Sequence, residues 1–196
     1  MKEFFDTIRP LFRRMSQDQV DGCNTLLAAT DGLHITFRSY LLATTFHETA
    51  QTMQPITERG GRRYFDKYEP WGRLGPRLGN TEPGDGWRYR GRGFVQITGR
   101  RNYALASRVL GVDLIGNPDL ALEHSIAAKI FVRGCCDGWF TGKALNDYLP
   151  GDYLNARRVV NGTDRARKIA GYAETFEVAI EAMRSAPPAP SAGLGR

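Results

Sequence analysis

The sequence predicts a mainly α fold in which two helical lobes flank a loop-rich cleft with a small β element. Apolar residues recur at the 3.6-residue spacing of a helix on both sides of the middle of the chain. Residues 51–93 hold nine glycines and four prolines with little periodicity, which is typical of a long loop region. Residues 94–98, with sequence Phe-Val-Gln-Ile-Thr, are predicted as a short extended segment, the candidate β element.

Three helices are predicted before the loop region. Apolar residues within 4–15 keep a helical period, which favours an amphipathic first helix. Ser16 is expected to cap a second helix, which the Asp31-Gly32 pair ends. The third helix is predicted over about residues 35–50, and it carries Glu48 near its end.

Further helices are predicted after the extended segment. The first spans about residues 102–110, and another begins at Asn117, with that residue as cap and Pro118 at the first helical position. The expected buried stripe of that helix consists of Leu122, Ile126 and Ile130. A final helix is predicted from near Asp164, where apolar residues again keep the helical period.

Length and composition indicate one folded domain. We predict a single catalytic domain over residues 1–184, followed by a disordered tail over 185–196 that is rich in Pro, Ala, Ser and Gly. With 41% hydrophobic and 24% charged residues, the chain is neither disordered nor fibrous. The net charge of +6, with ten arginines between Arg59 and Arg101, favours polyanionic surroundings such as nucleic acid, anionic lipid or an acidic cell wall.

Cysteines and apolar runs indicate where the chain is made. Cys23, Cys135 and Cys136 are an odd set with two adjacent members, so we expect reduced thiols and synthesis in the cytoplasm. There is no C-x-x-C motif and the histidines are scattered, so no metal site is expected. The N-terminus is not typical of a signal peptide, and no apolar run reaches the ~20 residues of a membrane span. An enzyme acting outside the cytoplasm would then need separate delivery.

Two glutamates fit the chemistry of glycosidic bond hydrolysis. That reaction needs one protonated carboxyl group to protonate the leaving oxygen, and one carboxylate to activate water or attack directly. Glu48 lies on the apolar stripe that contains Leu41, and removal from water favours the protonated form. Glu58 precedes arginine-rich residues 59–63, and positive neighbours favour the ionised form. Spacing alone also allows an ordinary alternative, in which Glu48 ends a helix and Glu58 pairs with a loop arginine.

The pattern around Glu48 resembles a known family. Phe46-His47-Glu48-Thr49 is similar to the His-Glu-Thr/Ser motif of the family 19 glycoside hydrolases, which include plant chitinases and many phage endolysins. Residues 89–98 resemble that family's Tyr-x-Gly-Arg-Gly-x-x-Gln-Leu-Ser/Thr segment. Further similar segments follow in the same order at 102–103, 111–114, 117–120 and 159–162, so the resemblance extends over roughly residues 40–172.

This resemblance implies a lysozyme-like, helix-rich α+β fold and an inverting mechanism. It implies that Glu48 is the general acid and that Thr98 helps to hold the nucleophilic water. Glu58-Arg59-Gly60 has the family's local pattern at its second carboxylate, at the shorter distance of the bacterial and phage members, so Glu58 is the expected base. Other carboxylates of the same loop region remain alternatives for the base: Asp66, Glu69 and Asp85.

The resemblance also implies substrate contacts. Three side chains match sugar-binding amides, which can donate and accept hydrogen bonds with N-acetyl and hydroxyl groups: Gln96, Asn102 and Asn161. Lys168 stands where the family has an arginine near the late helix. Three aromatic residues either stack on sugar faces or anchor the loop: Trp71, Trp87 and Tyr89.

The leading hypothesis is a phage-type endolysin that cleaves β-1,4 bonds of peptidoglycan. No cofactor is needed, and we expect a monomer that binds neither nucleic acid nor membrane stably. It would be made in the cytoplasm of a bacterial host and would reach the cell wall through a separate pore protein. The alternatives are a chitinase acting on N-acetylglucosamine polymers, and a non-catalytic module that binds cell wall or nucleic acid.

Overall fold

The structure, a computed structural model, describes residues 1–185. The predicted tail over 185–196 lies outside the described residues except for Ser185, which is the last residue of a helix. Within 1–185 the α-helices are α1 Lys2–Ile8, α2 Gln17–Ala29, α3 Ile35–Glu48, α4 Gly75–Leu78, α5 Asp85–Arg88, α6 Arg100–Leu110, α7 His124–Cys136, α8 Tyr153–Ala156 and α9 Ala166–Ser185. The predicted mainly α fold is confirmed.

Short 3₁₀ helices and one small sheet complete the described chain. The 3₁₀ helices are Arg9–Leu11, Arg62–Tyr68, Pro118–Leu122, Leu145–Asp147 and Arg157–Val159. Strands β1 (Ile56–Thr57) and β2 (Arg92–Gly93) pair antiparallel, with Ile56 opposite Gly93. No helix within residues 1–185 combines the length and the apolar character that a membrane crossing requires.

The N-terminal helices follow the sequence pattern closely. The Ser16 side chain accepts a hydrogen bond from the Gln19 N–H at 3.3 Å, and the Gln19 side chain accepts one from the Ser16 N–H at 2.8 Å. This reciprocal capping box fixes the predicted start of α2. The first helix is shorter than predicted, because the chain tightens into a 3₁₀ turn at Arg9–Leu11, which contains Pro10.

The predicted extended segment over 94–98 is wrong in its position. The strand is Arg92–Gly93, and the following residues turn back so that the N–H groups and carbonyls of Arg92 and Ile97 bond each other, at 2.9 and 3.2 Å. Two residues with positive φ allow this reversal, Gly93 at 90° and Gln96 at 58°. The alternating apolar residues resemble a strand, but a glycine that reverses the chain ends it.

The predicted helix from Asn117 is also different in the structure. Pro118 starts a short 3₁₀ helix, and the α-helix begins only at His124. Asn117 makes no side-chain cap. Of the predicted stripe only Ile130 is fully buried. Leu122 ends the 3₁₀ helix and so lies outside α7, and Ile126 in the first turn of α7 is partly buried.

Two apolar cores lie on opposite sides of α7. The larger one joins α1, α2, α3 and α9, and Phe46 of α3 packs edge-on against Tyr172 of α9, with ring centroids 4.8 Å apart. The smaller one gathers Tyr89, Ile97 and Tyr103 with Ile130 of α7. These two cores correspond to the predicted helical lobes, and residues 51–93 contribute Met53 to the larger core and Tyr89 to the smaller one.

All three cysteines are free thiols. Burial raises the pKa of Cys23 to about 12, which keeps that thiol protonated and unreactive at neutral pH. Residues 1–185 contain no cluster of His, Cys, Asp and Glu side chains that could hold a metal ion.

Candidate active site

Glu48 is the last residue of α3, and its side chain is paired with a buried arginine. Its Oε1 accepts a hydrogen bond from Nη1 of Arg157 at 2.5 Å. The Glu48 side chain is 23% exposed and that of Arg157 only 3%. The sequence predicted an apolar environment for Glu48, and the hydrogen bond from Arg157 corrects this prediction. The residue Arg157 was missed because it lies 109 positions later in the chain.

The segment that carries Arg157 is itself held in place. Its Nε donates to the carbonyl of Asp164 at 3.1 Å, and the Tyr40 hydroxyl of α3 donates to the neighbouring Ala156 carbonyl at 2.8 Å. Oε1 of Glu48 is therefore fixed, while its Oε2 accepts no hydrogen bond from the described residues 1–185. That free oxygen is the one available to carry a proton towards a substrate.

His47 lies in a positively charged environment at the C-terminal end of α3. Burial lowers its pKa, and the cationic Arg157, Lys168 and Arg165 act in the same direction, while Glu48 opposes them. A histidine with a lowered pKa is neutral at pH 7. His47 is therefore uncharged beside Glu48.

Glu58 follows β1 and is held by three neighbours. Its N–H donates to the Gly91 carbonyl at 2.8 Å, and its Oε2 accepts from the Gly91 N–H at 3.1 Å. Its Oε1 accepts from the Tyr68 hydroxyl at 3.0 Å, with Nζ of Lys67 at 3.8 Å. The carboxylate is thus oriented with 18% of its side chain exposed, and its cationic neighbour is Lys67 rather than the loop arginine of the ordinary alternative.

Tyr68 is a hydrogen-bond donor to Glu58 throughout the neutral range. Burial, followed by the charge of the Glu58 carboxylate, raises the pKa of the Tyr68 hydroxyl. A neutral phenol keeps its proton and can orient the carboxylate that accepts it. No sequence pattern indicated this role, because Tyr68 is one of several aromatic residues in a region without periodicity.

The alternative bases are placed differently from Glu58. Glu69 is buried, and its Oε2 accepts from the Gly84 N–H at 2.7 Å. Asp85 is 2% exposed and holds Arg100 through two hydrogen bonds of 2.6 and 2.7 Å. Although burial opposes it, the Arg100 guanidinium and two backbone N–H groups hold the pKa of Asp85 below its ordinary value. Asp66 is exposed. The contacts of Glu69 and Asp85 are structural.

Thr98 and Asn102 line a cavity of about 540 Å³ together with Tyr68. The Thr98 hydroxyl donates to the Gln96 carbonyl at 2.7 Å, so its lone pairs remain free to accept from water. Asn102 Nδ2 donates to the Thr98 carbonyl at 2.7 Å, which leaves its amide oxygen for a ligand. Because Tyr68 also bonds Glu58, the cavity links Thr98 to the candidate base.

The other predicted contacts are dispersed. Gln96 donates to the carbonyls of Ile56 and Gly93, at 3.0 and 3.3 Å, and so joins the two strands. Asn161 is exposed and accepts from the Gly162 N–H. Lys168 is exposed and lines a separate cavity of about 470 Å³.

The aromatic residues divide between the two predicted roles. Tyr89 is 1% exposed and packs against Tyr103 with ring centroids 5.3 Å apart, so it does not bind substrate and takes the second predicted role, as an anchor in the smaller core. Trp87 is half-buried and packs edge-on against Phe65. Trp71 is 71% exposed and is the one of the three that presents a free ring to a ligand.

Comparison with known proteins agrees with this geometry. The profile of family 19 glycoside hydrolases, described as chitinase class I, matches residues 38–143, which include Glu48, Glu58 and Thr98. The chain belongs to glycoside hydrolase family 19. The predicted family is thereby confirmed.

Individual relatives match over part of their length. A Haemophilus influenzae protein described as glycosyl hydrolase family 19 domain-containing is 47% identical over 57 residues, covering 26% of this chain and 28% of the relative. Chitinase 11 of Oryza sativa is 41% identical over 85 residues, covering 43% of this chain and 32% of the relative. The chain thus spans about a third or less of these curated relatives.

Solved structures share the whole fold. Chitinase C from Streptomyces griseus superposes with a TM-score of 0.61 at 18% identity, over 93% of this chain and 75% of that one. The class IV family 19 chitinase from Zea mays gives a TM-score of 0.55 at 20% identity, over 95% of this chain and 92% of that one. At these identities the likeness establishes the fold, which is the predicted lysozyme-like one.

Proposed function

We propose that this chain hydrolyses β-1,4 bonds in a polymer of N-acetylated amino sugars. The observation that carries the proposal is the pair of differently held carboxyl groups. Glu58 is oriented by Tyr68 and Gly91 beside the Thr98 cavity, while Glu48 has one oxygen fixed by Arg157 and one free. Two carboxyl groups in unlike environments are what general acid and base catalysis requires.

The proposed reaction inverts the anomeric centre. A water donates one hydrogen bond to the Thr98 hydroxyl oxygen and its other proton to Glu58, while the water oxygen attacks the anomeric carbon. Oε2 of Glu48 transfers its proton to the leaving oxygen as the glycosidic bond breaks. Glu48 then becomes anionic, and the Arg157 guanidinium stabilises that charge. Glu58 ends protonated and returns its proton to solvent.

Peptidoglycan is the proposed substrate. Arg77 and Arg101 line the cavity that contains Thr98 and Asn102, and both are exposed. Two guanidinium groups beside a sugar-binding cavity favour a glycan that carries carboxylates, as muramic acid and its peptides do. The proposal includes the endolysin role, with synthesis in the cytoplasm of a bacterial host and passage through a separate pore.

Chitin is the second candidate substrate. Its support is the similarity to proteins described as chitinases, among them chitinase 11 of Oryza sativa. Chitin is uncharged, so it would leave Arg77 and Arg101 without anionic partners. The two substrates therefore differ in whether they supply anionic partners for Arg77 and Arg101.

Mass spectrometry of products separates the candidates. The protein would be incubated with purified peptidoglycan and, in parallel, with chitin, and a new reducing end on N-acetylmuramic acid is expected from the first. Release of sugars from chitin alone would make the protein a chitinase. The Glu48→Gln variant is the matched control, and its turnover should fall by ~10²–10⁴-fold. Sugar binding without cleavage by the unmodified protein would favour the non-catalytic module.

A further inference from the structure

A second cavity, of about 710 Å³, lies on the opposite side of the segment that holds Glu58. Gly91 faces the candidate base: its N–H bonds Glu58, and a Cβ at this position would come within 3.0 Å of the Glu58 carboxylate. Its neighbours Arg90 and Arg92 line the second cavity. In extended backbone successive side chains point to opposite faces, which explains this division. The two cavities share no lining residue.

Positive charge in this cavity exceeds negative charge. Five arginines line it, against three carboxylates: Arg62, Arg88, Arg90, Arg92 and Arg100, against Glu82, Asp85 and Asp119. Arg92 pairs with Asp119 at 2.7 Å, and Arg100 pairs with Asp85 at 2.6 Å. Among residues 1–185, Arg62, Arg88 and Arg90 form no ion pair with a carboxylate. Three guanidinium groups therefore face the cavity with Glu82 as the remaining anion.

Two of these guanidinium groups are already positioned. Nη1 of Arg90 donates to the Trp87 carbonyl at 2.8 Å, and Nη2 of Arg88 donates to the Ile115 carbonyl at 2.9 Å. Burial, followed by the charge of Arg92, lowers the pKa of Arg90. An anionic partner stabilises the charged form of cations that lie close together and are partly removed from water. Side chains that are already held in place also lose little conformational entropy when they bind that partner.

The aromatic ring in this cavity is covered. The guanidinium carbon of Arg90 lies 4.2 Å from the Trp87 ring centroid and that of Arg62 lies 5.4 Å from it. The Phe65 ring meets the same ring edge-on, with centroids 5.4 Å apart. Trp87 is thus already packed against two guanidinium groups and Phe65, so the ring supports the arginines instead of standing free for stacking. The recognition chemistry of this cavity is that of anionic groups.

We propose that this cavity binds the phosphate groups of a phosphodiester polymer whose backbone carries no aromatic bases. Arginine forks match phosphate oxygens in pairs, and several guanidinium groups around one cavity suit a repeating polyanion better than a single carboxylate. The covered ring disfavours nucleic acid, for which stacking platforms are typical. The site is separate from the hydrolytic centre and would hold the protein on a phosphorylated surface while the other cavity engages sugar.

Calorimetric titration with poly(glycerol phosphate) tests the proposal. The variant Arg62→Gln/Arg90→Gln is expected to raise the dissociation constant at least tenfold. The slope of log affinity against log salt concentration should also become less negative by roughly one to two. Each phosphate contact contributes about 0.7–0.9 to the magnitude of that slope in nucleic acids. The control Arg13→Gln/Arg14→Gln removes the same charge from exposed positions between α1 and α2, outside the cavity, and should bind like the unmodified protein.

Three further measurements make the test decisive. Single-stranded DNA and polyglutamate of equal charge should bind more weakly than poly(glycerol phosphate); tighter DNA binding or equal polyglutamate binding would overturn the proposal. Equal loss in both double variants would show a general charge effect instead. Hydrolysis of purified peptidoglycan that carries no phosphate polymer should be unchanged in the Arg62→Gln/Arg90→Gln variant, so a failed hydrolase assignment is recognised separately. Should that variant not fold, Arg62→Lys/Arg90→Lys keeps the charge and should still bind more weakly; equal affinity would contradict the proposed arginine geometry.

Discussion

Glu58 and Glu48 are the two proposed catalytic carboxyl groups, but different parts of the fold hold them. Glu58 directly follows β1 of the small two-stranded sheet, where its backbone and side chain both contact Gly91, the residue before β2. Glu48 ends a long buried helix and contacts Arg157, which lies 109 positions away in sequence. The position of the base therefore depends on two short strands, and that of the acid on the packing of the larger core. We expect the small sheet that positions Glu58 to adjust when sugar binds, while the helix that positions Glu48 stays fixed.

Replacing the proposed base Glu58 should have the largest effect among the variants considered, and the affected quantity is kcat. Glu58→Gln should lower kcat by ~10²–10⁴-fold while substrate binding is kept, because the amide cannot accept the proton of the attacking water. Single-turnover kinetics and equilibrium binding on the same oligosaccharide give the two quantities. Asp66→Asn is the matched control in an exposed position of the same loop, and should change kcat little. A fully active Glu58→Gln protein would move the base to another carboxylate.

Asp85 should affect stability and not chemistry. Asp85→Asn breaks the pair with Arg100 and should cost about 3 kcal/mol at pH 7, at the low end for buried pairs since Arg100 is partly exposed. The folded state lowers the pKa of Asp85, so its stabilisation is full above the unfolded value of about 3.9 and disappears as the pH falls through the folded value. Urea unfolding at pH 7 and pH 3 should show the difference between the two proteins shrinking in acid.

Arg157→Lys should produce the smallest of these effects. Lysine keeps the positive charge beside Glu48 but loses the planar fork that also holds the Asp164 carbonyl. We expect kcat to fall by about tenfold, equivalent to ~1.4 kcal/mol in the barrier, with KM nearly unchanged. Steady-state kinetics on a soluble oligosaccharide gives both constants. A change in KM alone would mean that Arg157 contacts substrate instead of positioning Glu48.

Local patterns in the sequence predicted much of the fold and part of the site. The Ser16 cap and the position of Glu48 in α3 depend on residues within a few positions of each other. The strand predicted over 94–98 was misplaced because its apolar pattern does not reveal the turn after Gly93. Tyr89 matched a motif shared with family 19 but is buried, since a motif carries both contact residues and core residues.

Long-range contacts could not be read from the sequence. Arg157 meets Glu48 only because α8 and the turn after it pack beside α3, as the bond from Tyr40 to Ala156 shows. Tyr68 reaches Glu58 across a loop with no periodicity. The two carboxyl groups could therefore be identified from the sequence, but their partners Arg157 and Tyr68 could be identified only from the structure.

The anomeric form of the first product tests the central claim most directly. If Glu48 is the acid and Glu58 is a base that activates water, the reaction inverts the anomeric centre, so hydrolysis of a β-1,4 bond should release the α-anomer first. Proton NMR at early times, before the anomers equilibrate, distinguishes the two forms. The α-anomer as the first product is the result expected here, and the β-anomer as the first product would contradict the assignment of Glu58 as a base that activates water.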